Sequence, residues 1–301
     1  MISFLPRPLH GLLMAILLLA NTIFWVLPLY ALVILKLLLP IKPVRHALSD
    51  LMSLLAQSWA ACNSFYANHL MRIDWDIRLP ANLNRRGQYL ACANHQSWND
   101  IFVLMRAFGY KAPFFKFFLK QELIWVPLLG LAWWGLDYPF MKRFTRAQVL
   151  KNPSLKGKDM ETTRKACEKF KDLPVMVLNF LEGTRLTPEK QASQNSPYQH
   201  LLKPKSGGFA FATTAFGERL NALLDITIVY PDGSVGFWEF LCGDVRRVVV
   251  DVREITIPSE FFAGDYESDS AFRSRYHQWI AALWSEKDQK ISEILSNASR
   301  R

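Results

Sequence analysis

Residues 11–35, GLLMAILLLANTIFWVLPLYALVIL, run for 25 positions without a charge. A helix of that length reaches about 37 Å, enough to cross a hydrocarbon core of roughly 30 Å with some tilt. Pro28 has no backbone donor and should kink that helix or divide it into two shorter pieces. A secretory signal would be shorter and would end in a small-x-small cleavage site, whereas KLLLPIKPVR follows here. The run therefore reads as a retained membrane anchor occupying residues 1–43. The rival readings are a fully buried core helix and a kinked hairpin dipping into one leaflet. Lys36, Lys42 and Arg45 follow the run, against Arg7 and the terminal amine before it, so the positive-inside bias favours a cytoplasmic body.

The rest of the chain, residues 44–301, is long enough for a real core and shows no repeat or second composition break. Residues 44–70 are apolar at helical spacing through Leu48, Leu51, Leu55, Trp59 and Phe65, which predicts an amphipathic helix. IDWDIRL (73–79) alternates as an outer strand does, and GQYLACAN (87–94) reads as a more buried one. DIFVLMRAF (100–108) resumes a helical pattern. Residues 113–136 are mostly Phe, Leu and Trp, interrupted by Lys116, Lys120 and Glu122. That stretch suits internal packing, a membrane-resting surface or the lining of an acyl-chain pocket. Residues 157–172 read as a charged helix, VMVLNF (175–180) as a buried strand, and 225–231 and 245–255 as two more strands. A helix over roughly 268–297 closes the chain. This alternation implies an α/β body: a single mixed, partly parallel sheet flanked by helices, behind an N-terminal membrane-anchoring segment.

The four cysteines, Cys62, Cys92, Cys167 and Cys242, are widely spaced, which suits buried thiols in a reducing compartment. Neither they nor the six histidines show a zinc spacing. The net charge of +10 is concentrated: between Lys111 and Asp172, Lys and Arg outnumber Asp and Glu 13 to 6. Without a nucleic-acid-binding motif, such a face beside an anchor points to anionic head groups or phosphate-bearing substrates.

In NHQSWND (94–100), a lone His95 would read as structural. Asp100 changes that, because a carboxylate on one ring nitrogen sets the tautomer and leaves the other nitrogen to take a proton. Five residues apart on one helix, the two would point roughly 140° away from each other, so the chain must turn between them. No G-x-S-x-G elbow supplies a nucleophile; GSVG at 233–236 has the wrong spacing, and Ser97 has no independent support. A base acting directly on a substrate hydroxyl is the more economical mechanism. In FLEGTR (180–185), Gly183 permits close backbone approach, Thr184 offers a hydroxyl and Arg185 can hold a phosphate by two bonds. An ordinary polar turn with a solvated arginine is the alternative. A Walker phosphate loop is absent.

NHQSWND, FLKQELIWVPLLG with YPFMKR, FLEGTR and LLDITIVYP occur in that order between residues 90 and 231. Together they resemble the four blocks of the glycerolipid acyltransferases, in particular the bacterial 1-acyl-glycerol-3-phosphate acyltransferases of the PlsC type and their YihG-like branch. The resemblance implies acyl transfer from acyl-CoA or acyl carrier protein to a lysophospholipid hydroxyl at the bacterial inner membrane. It implies His95 as general base, Asp100 as its orienting partner, and Arg185 with Lys120 and Arg143 as phosphate binders. Glu182, Gly183 and Thr184 would shape that site. No metal or resident cofactor is implied; the partners are membrane phospholipids, the acceptor and the acyl donor, with no nucleic acid. Tyr230 departs from the family, many members of which carry a Val-Pro pair there, and the insert between Arg185 and Lys203 is long. These departures bear on the acceptor, which could instead be lysophosphatidylglycerol, lysocardiolipin or glycerol 3-phosphate. A membrane-anchored thioesterase and a non-catalytic lipid-binding protein are the readings from other classes.

Overall fold

Near-continuous apolar strands need cover on both faces, and here helices supply it. The computed structural model describes residues 5–141, 151–152 and 173–298. The predicted helix at 157–172, together with Lys142, Arg143 and Cys167, lies outside the described residues. The strands are β1 (Asp74–Arg78), β2 (Gln88–Ala93), β3 (Phe115–Phe117), β4 (Leu119–Lys120), β5 (Phe140–Met141), β6 (Val175–Phe180), β7 (Ala222–Val229) and β8 (Arg247–Ile255). Six of them form one sheet in the order β1-β8-β7-β2-β6-β3, while β4 and β5 pair separately. Within the main sheet every pairing is parallel except β7 with β8, so the sheet is mixed as the alternation of elements implies. The alternating segment at 73–79 is indeed an edge strand, and β2 lies inside between β6 and β7.

Side chains alternate across these strands, which divides the core into two layers. Tyr89, Ala91 and Ala93 of β2 face a cluster that includes Ala60, Val103 and Leu104. These contributors lie on α2 (Lys42–Leu70) and α3 (Asp100–Phe108), with Met14 of α1 (Arg7–Leu38) in the same layer. Leu90 and Cys92 face the opposite layer, among Phe209, Phe216, Tyr276 and Trp284. After the short helices α4 (Leu129–Gly135) and α5 (Pro188–Ser193), that layer is built on α6 (Gly207–Phe216). The small helix α7 (Phe237–Leu241) precedes β8, and α8 (Ser270–Ala298) closes the chain against the sheet. Two charges are buried where α8 crosses β7. Lys287 Nζ lies 2.6 Å from Asp225 Oδ1, and Arg253 bonds the other carboxylate oxygen at 2.7 Å. A buried charge needs such partners, and Asp225 stays ionised because Lys287 and Arg253 outweigh the cost of its burial.

The apolar run is one helix, α1; Pro28 lies inside it without dividing it. Bonds to the folded body hold it at both ends. Arg7 pairs with Asp244, and the His10 ring bonds the carbonyls of Leu241 and Leu70, each at 3.0 Å. Near the other end Tyr30 donates to the Leu128 carbonyl at 2.6 Å, and Lys36 meets Asp137 at 2.6 Å. The outward face keeps Leu12, Ile16, Leu19, Phe24, Leu27 and Leu38 exposed. Among the described cysteines, Cys92 and Cys242 are buried, whereas Cys62 is only half-buried; all three are free thiols.

Candidate active site

The parallel register of β2 with β6 pairs Ala93 with Phe180, the last residue of each strand. Two residues beyond that pair stand His95 on one chain segment and Glu182 on the other. Glu182 Oε1 accepts the His95 backbone N–H at 2.8 Å, and its Oε2 accepts the N–H of Leu202 at 3.0 Å. The EGTR block is therefore built into the same corner as NHQSWND, at the carboxyl ends of adjacent parallel strands. That is where open α/β sheets place their ligands. Glu182 is fully buried, and this burial pushes its carboxyl up to about 7, against the two backbone bonds, which favour the charged form.

The turn that His95 and Asp100 require is present. Residues 94–99 leave the strand, and Asp100 opens α3. Asp100 Oδ2 then reaches back to the N–H groups of Gln96 and Ser97, at 2.7 and 3.0 Å, and to His95 Nδ1 at 2.8 Å. Since that oxygen is an acceptor, Nδ1 carries the proton and Nε2 presents its lone pair. No described residue bonds Nε2. The Asp100 side chain has no solvent exposure and that of His95 has 17%, so the buried carboxylate supports a ring that solutes can reach. Phe180 stacks on the imidazole at 4.1 Å, fixing its plane. Tyr230, just past β7, donates to Asp100 Oδ1 at 2.7 Å. Its phenol is held well above its usual range by burial and by the negative charge of Asp100, so it remains a donor.

Neighbouring polar residues have structural work. Asn94 bonds both the carbonyl and the N–H of Ile228, each at 2.8 Å, which stitches β2 to β7 beyond their ladder. Ser97 Oγ donates to the Val235 carbonyl at 2.7 Å, and Asn99 Nδ2 donates to the same oxygen at 3.0 Å. The GSVG segment is thus a brace for this turn, and the Ser97 hydroxyl points away from a nucleophile's role.

Arg185 is carried to the same mouth. Its guanidinium lies 4.7 Å from the ring centre of Trp98, which is 59% exposed. The Leu186 N–H bonds the His95 carbonyl at 2.8 Å, so Arg185 leaves the backbone one residue before that link. Gly183 has φ +68°, a conformation that favours glycine. The Lys205 side chain passes over it, 3.2 Å from where a Cβ would stand. Thr184 Oγ1 accepts from Lys190 Nζ at 2.8 Å, and the Arg185 carbonyl accepts from the same ammonium at 3.0 Å. Lys190 and Lys205 were not singled out by motif reading, since each lies in a segment whose return to this loop no local pattern declares. Lys120 sits exposed on β4, and no bond joins it to His95, Asp100 or Arg185 among the described residues. Arg143 lies outside the described residues.

An apolar cavity lies between α1, α2, α3 and α7. Met14, Leu18, Tyr66, Met71, Phe102 and Phe240 line it. The aromatic stretch at 113–136 contributes nothing to its lining; Trp125 is instead 85% exposed.

The Acyltransferase family model matches residues 72–231, which contain His95, Asp100, Glu182, Arg185 and Tyr230 and more than half of the chain. The chain belongs to the acyltransferase family. Among the relatives of this acyltransferase is lysocardiolipin acyltransferase 1 of Danio rerio, 27% identical over 140 residues. That match covers 42% of this chain and 34% of the relative. The 1-acyl-sn-glycerol-3-phosphate acyltransferase gamma of Mus musculus is 27% identical over 184 residues, 58% of this chain and 44% of the relative. The chain thus spans less than half the length of either relative. The crystal structure of the 1-acyl-sn-glycerophosphate (LPA) acyltransferase PlsC from Thermotoga maritima superposes with a TM-score of 0.56 at 16% identity. That superposition covers 96% of this acyltransferase and 98% of the other chain, and the likeness is one of fold.

Proposed function

We propose that this chain transfers a fatty acyl group from an acyl thioester, acyl-CoA or acyl carrier protein, to the free hydroxyl of a lysophospholipid. The acceptor we assign is 1-acyl-sn-glycerol 3-phosphate, which would give phosphatidic acid. The observation that carries the reading is the pairing of His95 Nδ1 with buried Asp100, with Nε2 bonded by no described residue. In this scheme Nε2 takes the proton of the acceptor hydroxyl as its oxygen attacks the thioester carbonyl. The new carbon–oxygen bond forms a tetrahedral adduct, which collapses to an ester carbonyl as the carbon–sulfur bond breaks, and the imidazolium returns the proton to the departing thiolate. Asp100 stabilises the imidazolium in between. Arg185, held on Trp98, binds the acceptor phosphate by two bonds, with Lys120 and Arg143 completing the basic set. Glu182, Gly183 and Thr184 shape the loop that presents Arg185. The scheme needs no metal or resident cofactor, because side chains supply both the base and the phosphate contact.

We further propose that α1 lies in one leaflet. A spanning helix separates its ends by the thickness of the bilayer, yet Arg7 and Lys36 both bond the same folded body. Its exposed apolar face and exposed Trp125 and Trp134 would enter the lipid, on the cytoplasmic side of a bacterial inner membrane.

The test gives purified protein in detergent labelled acyl-CoA or acyl carrier protein, with a panel of lysophospholipids. Acceptor-dependent phospholipid formation supports transfer, and the preferred acceptor separates lysophosphatidate from lysophosphatidylglycerol and lysocardiolipin. Acid release regardless of acceptor would make the protein a thioesterase instead. His95→Ala should lower turnover by roughly 10²–10⁴-fold while the protein stays folded. Wild-type rates in that variant would remove His95 from the mechanism.

A further inference from the structure

Tyr230, the residue after β7, reaches the catalytic pair through Asp100 rather than His95. The two oxygens of Asp100 are used unequally. Oδ2 accepts three N–H bonds, from His95, Gln96 and Ser97, while Oδ1 has Tyr230 as its hydrogen-bond donor. An oxygen already accepting three N–H bonds belongs to an ionised carboxylate, so the hydrogen between Tyr230 and Asp100 belongs to the phenol. Both groups are buried, where a charge-assisted bond is strong and its loss leaves an anionic oxygen uncompensated.

We propose that Tyr230 is a positioning residue of the proton-transfer pair. It locks the Asp100 carboxylate in the plane that meets Nδ1, and it spreads the carboxylate's charge over a fourth hydrogen bond. Asp100 then holds the imidazolium less tightly, so the ring gives up its proton to the leaving thiolate more readily. The inference rests on the acyl-transfer reading only for that last step. Other ionisable groups also surround the pair: Glu182 bonds the His95 backbone, Arg185 lies on Trp98, and Lys190 and Lys205 border the same loop. Phe180, Asn94, Ser97 and Asn99 complete the surroundings with neutral groups.

Tyr230→Phe keeps the ring and deletes the donor. The state of His95 is read by ¹⁵N NMR of the imidazole in histidine-labelled protein, its signals assigned by their loss in His95→Gln. This readout needs no turnover. The titration midpoint of His95 should rise by about one pH unit, a shift that deletion of a bond to a charged group can produce. The acid limb of kcat/KM should move with it, with KM for lysophosphatidate unchanged. The same rise in a Glu182→Gln background assigns the effect to the pair rather than to Glu182. Difluorotyrosine at position 230 donates more strongly and should lower the midpoint, which also serves if the phenylalanine variant fails to fold. A midpoint that stays within about 0.3 unit in either folded variant overturns the proposal. A shifted midpoint without acyl transfer to any acceptor would support the positioning role and overturn the proposed function. Transfer with an unmoved midpoint would do the reverse.

Discussion

Glu182→Gln is the perturbation whose consequence the structure specifies most closely. Both carboxylate oxygens accept backbone N–H groups, one from His95 and one from Leu202. An amide has one acceptor oxygen, so one of these N–H groups would face an NH₂ and lose its bond, a cost of about 1–3 kcal/mol. Set against this is the pH dependence of the native carboxyl, which burial raises from 4.5 to about 7. A raised carboxyl contributes stability in full below pH 4.5, and that contribution is lost as pH climbs through 7. Between pH 5 and pH 8 the loss comes to about 2.5 kcal/mol at 1.36 kcal/mol per unit. The glutamine does not titrate. The variant should therefore be less stable than wild type at pH 5 and close to it, or above it, at pH 8. Thermal or urea unfolding in detergent at both pH values measures this. At roughly 2 °C per kcal/mol for a chain of this size, the difference in Tm between the two proteins should change by about 5 °C. Parallel stability curves for the two proteins would refute the reasoning, because they would mean that Glu182 titrates alike folded and unfolded.

Trp98→Ala should leave kcat nearly intact and raise KM for a phosphorylated acceptor about 2- to 5-fold, the lower part of the range for a half-exposed cation–π pair. A fall in kcat alone would count against the platform role. Phe24→Asp places a charge on the exposed face of α1 and should reduce partitioning onto anionic vesicles by about 100-fold, as a charge at membrane depth costs about 2.5–3.5 kcal/mol. Co-sedimentation measures that loss; undiminished binding would mean that this face does not enter lipid.

Local elements were legible because backbone geometry imposes their periods. The 3.6-residue spacing of Leu48, Leu51, Leu55 and Trp59 marks α2, and the unbroken apolar run of 175–180 marks an interior strand. The polar clusters that interrupt these patterns, NHQSWND and FLEGTR, declared themselves as strand ends with chemistry. Even the need for a turn between His95 and Asp100 followed from arithmetic. Of the roles open to 113–136, internal packing holds for Phe115, Leu119, Ala132 and Leu136, while the cavity is lined from α1, α2, α3 and α7, a placement no local pattern records.

The sequence by itself determined α1, α2, α3 and α8, the strands β1, β2, β6, β7 and β8, which segments carry the reactive groups, and that an apolar N-terminal helix precedes an α/β body; β3 and α6 carried no such signal. Tertiary structure alone decided what those groups touch. Glu182 meets His95 across 87 positions, and Tyr230 meets Asp100 across 130. Both contacts exist because β2 is paired between β6 and β7, all three pointing the same way. Strand order is a property of the whole core: each layer must be covered at once, and no short-range pattern records which strands become neighbours. The same holds for α1, whose composition fits a bilayer but whose ends are tied to Asp244 and Asp137 only once the domain has folded.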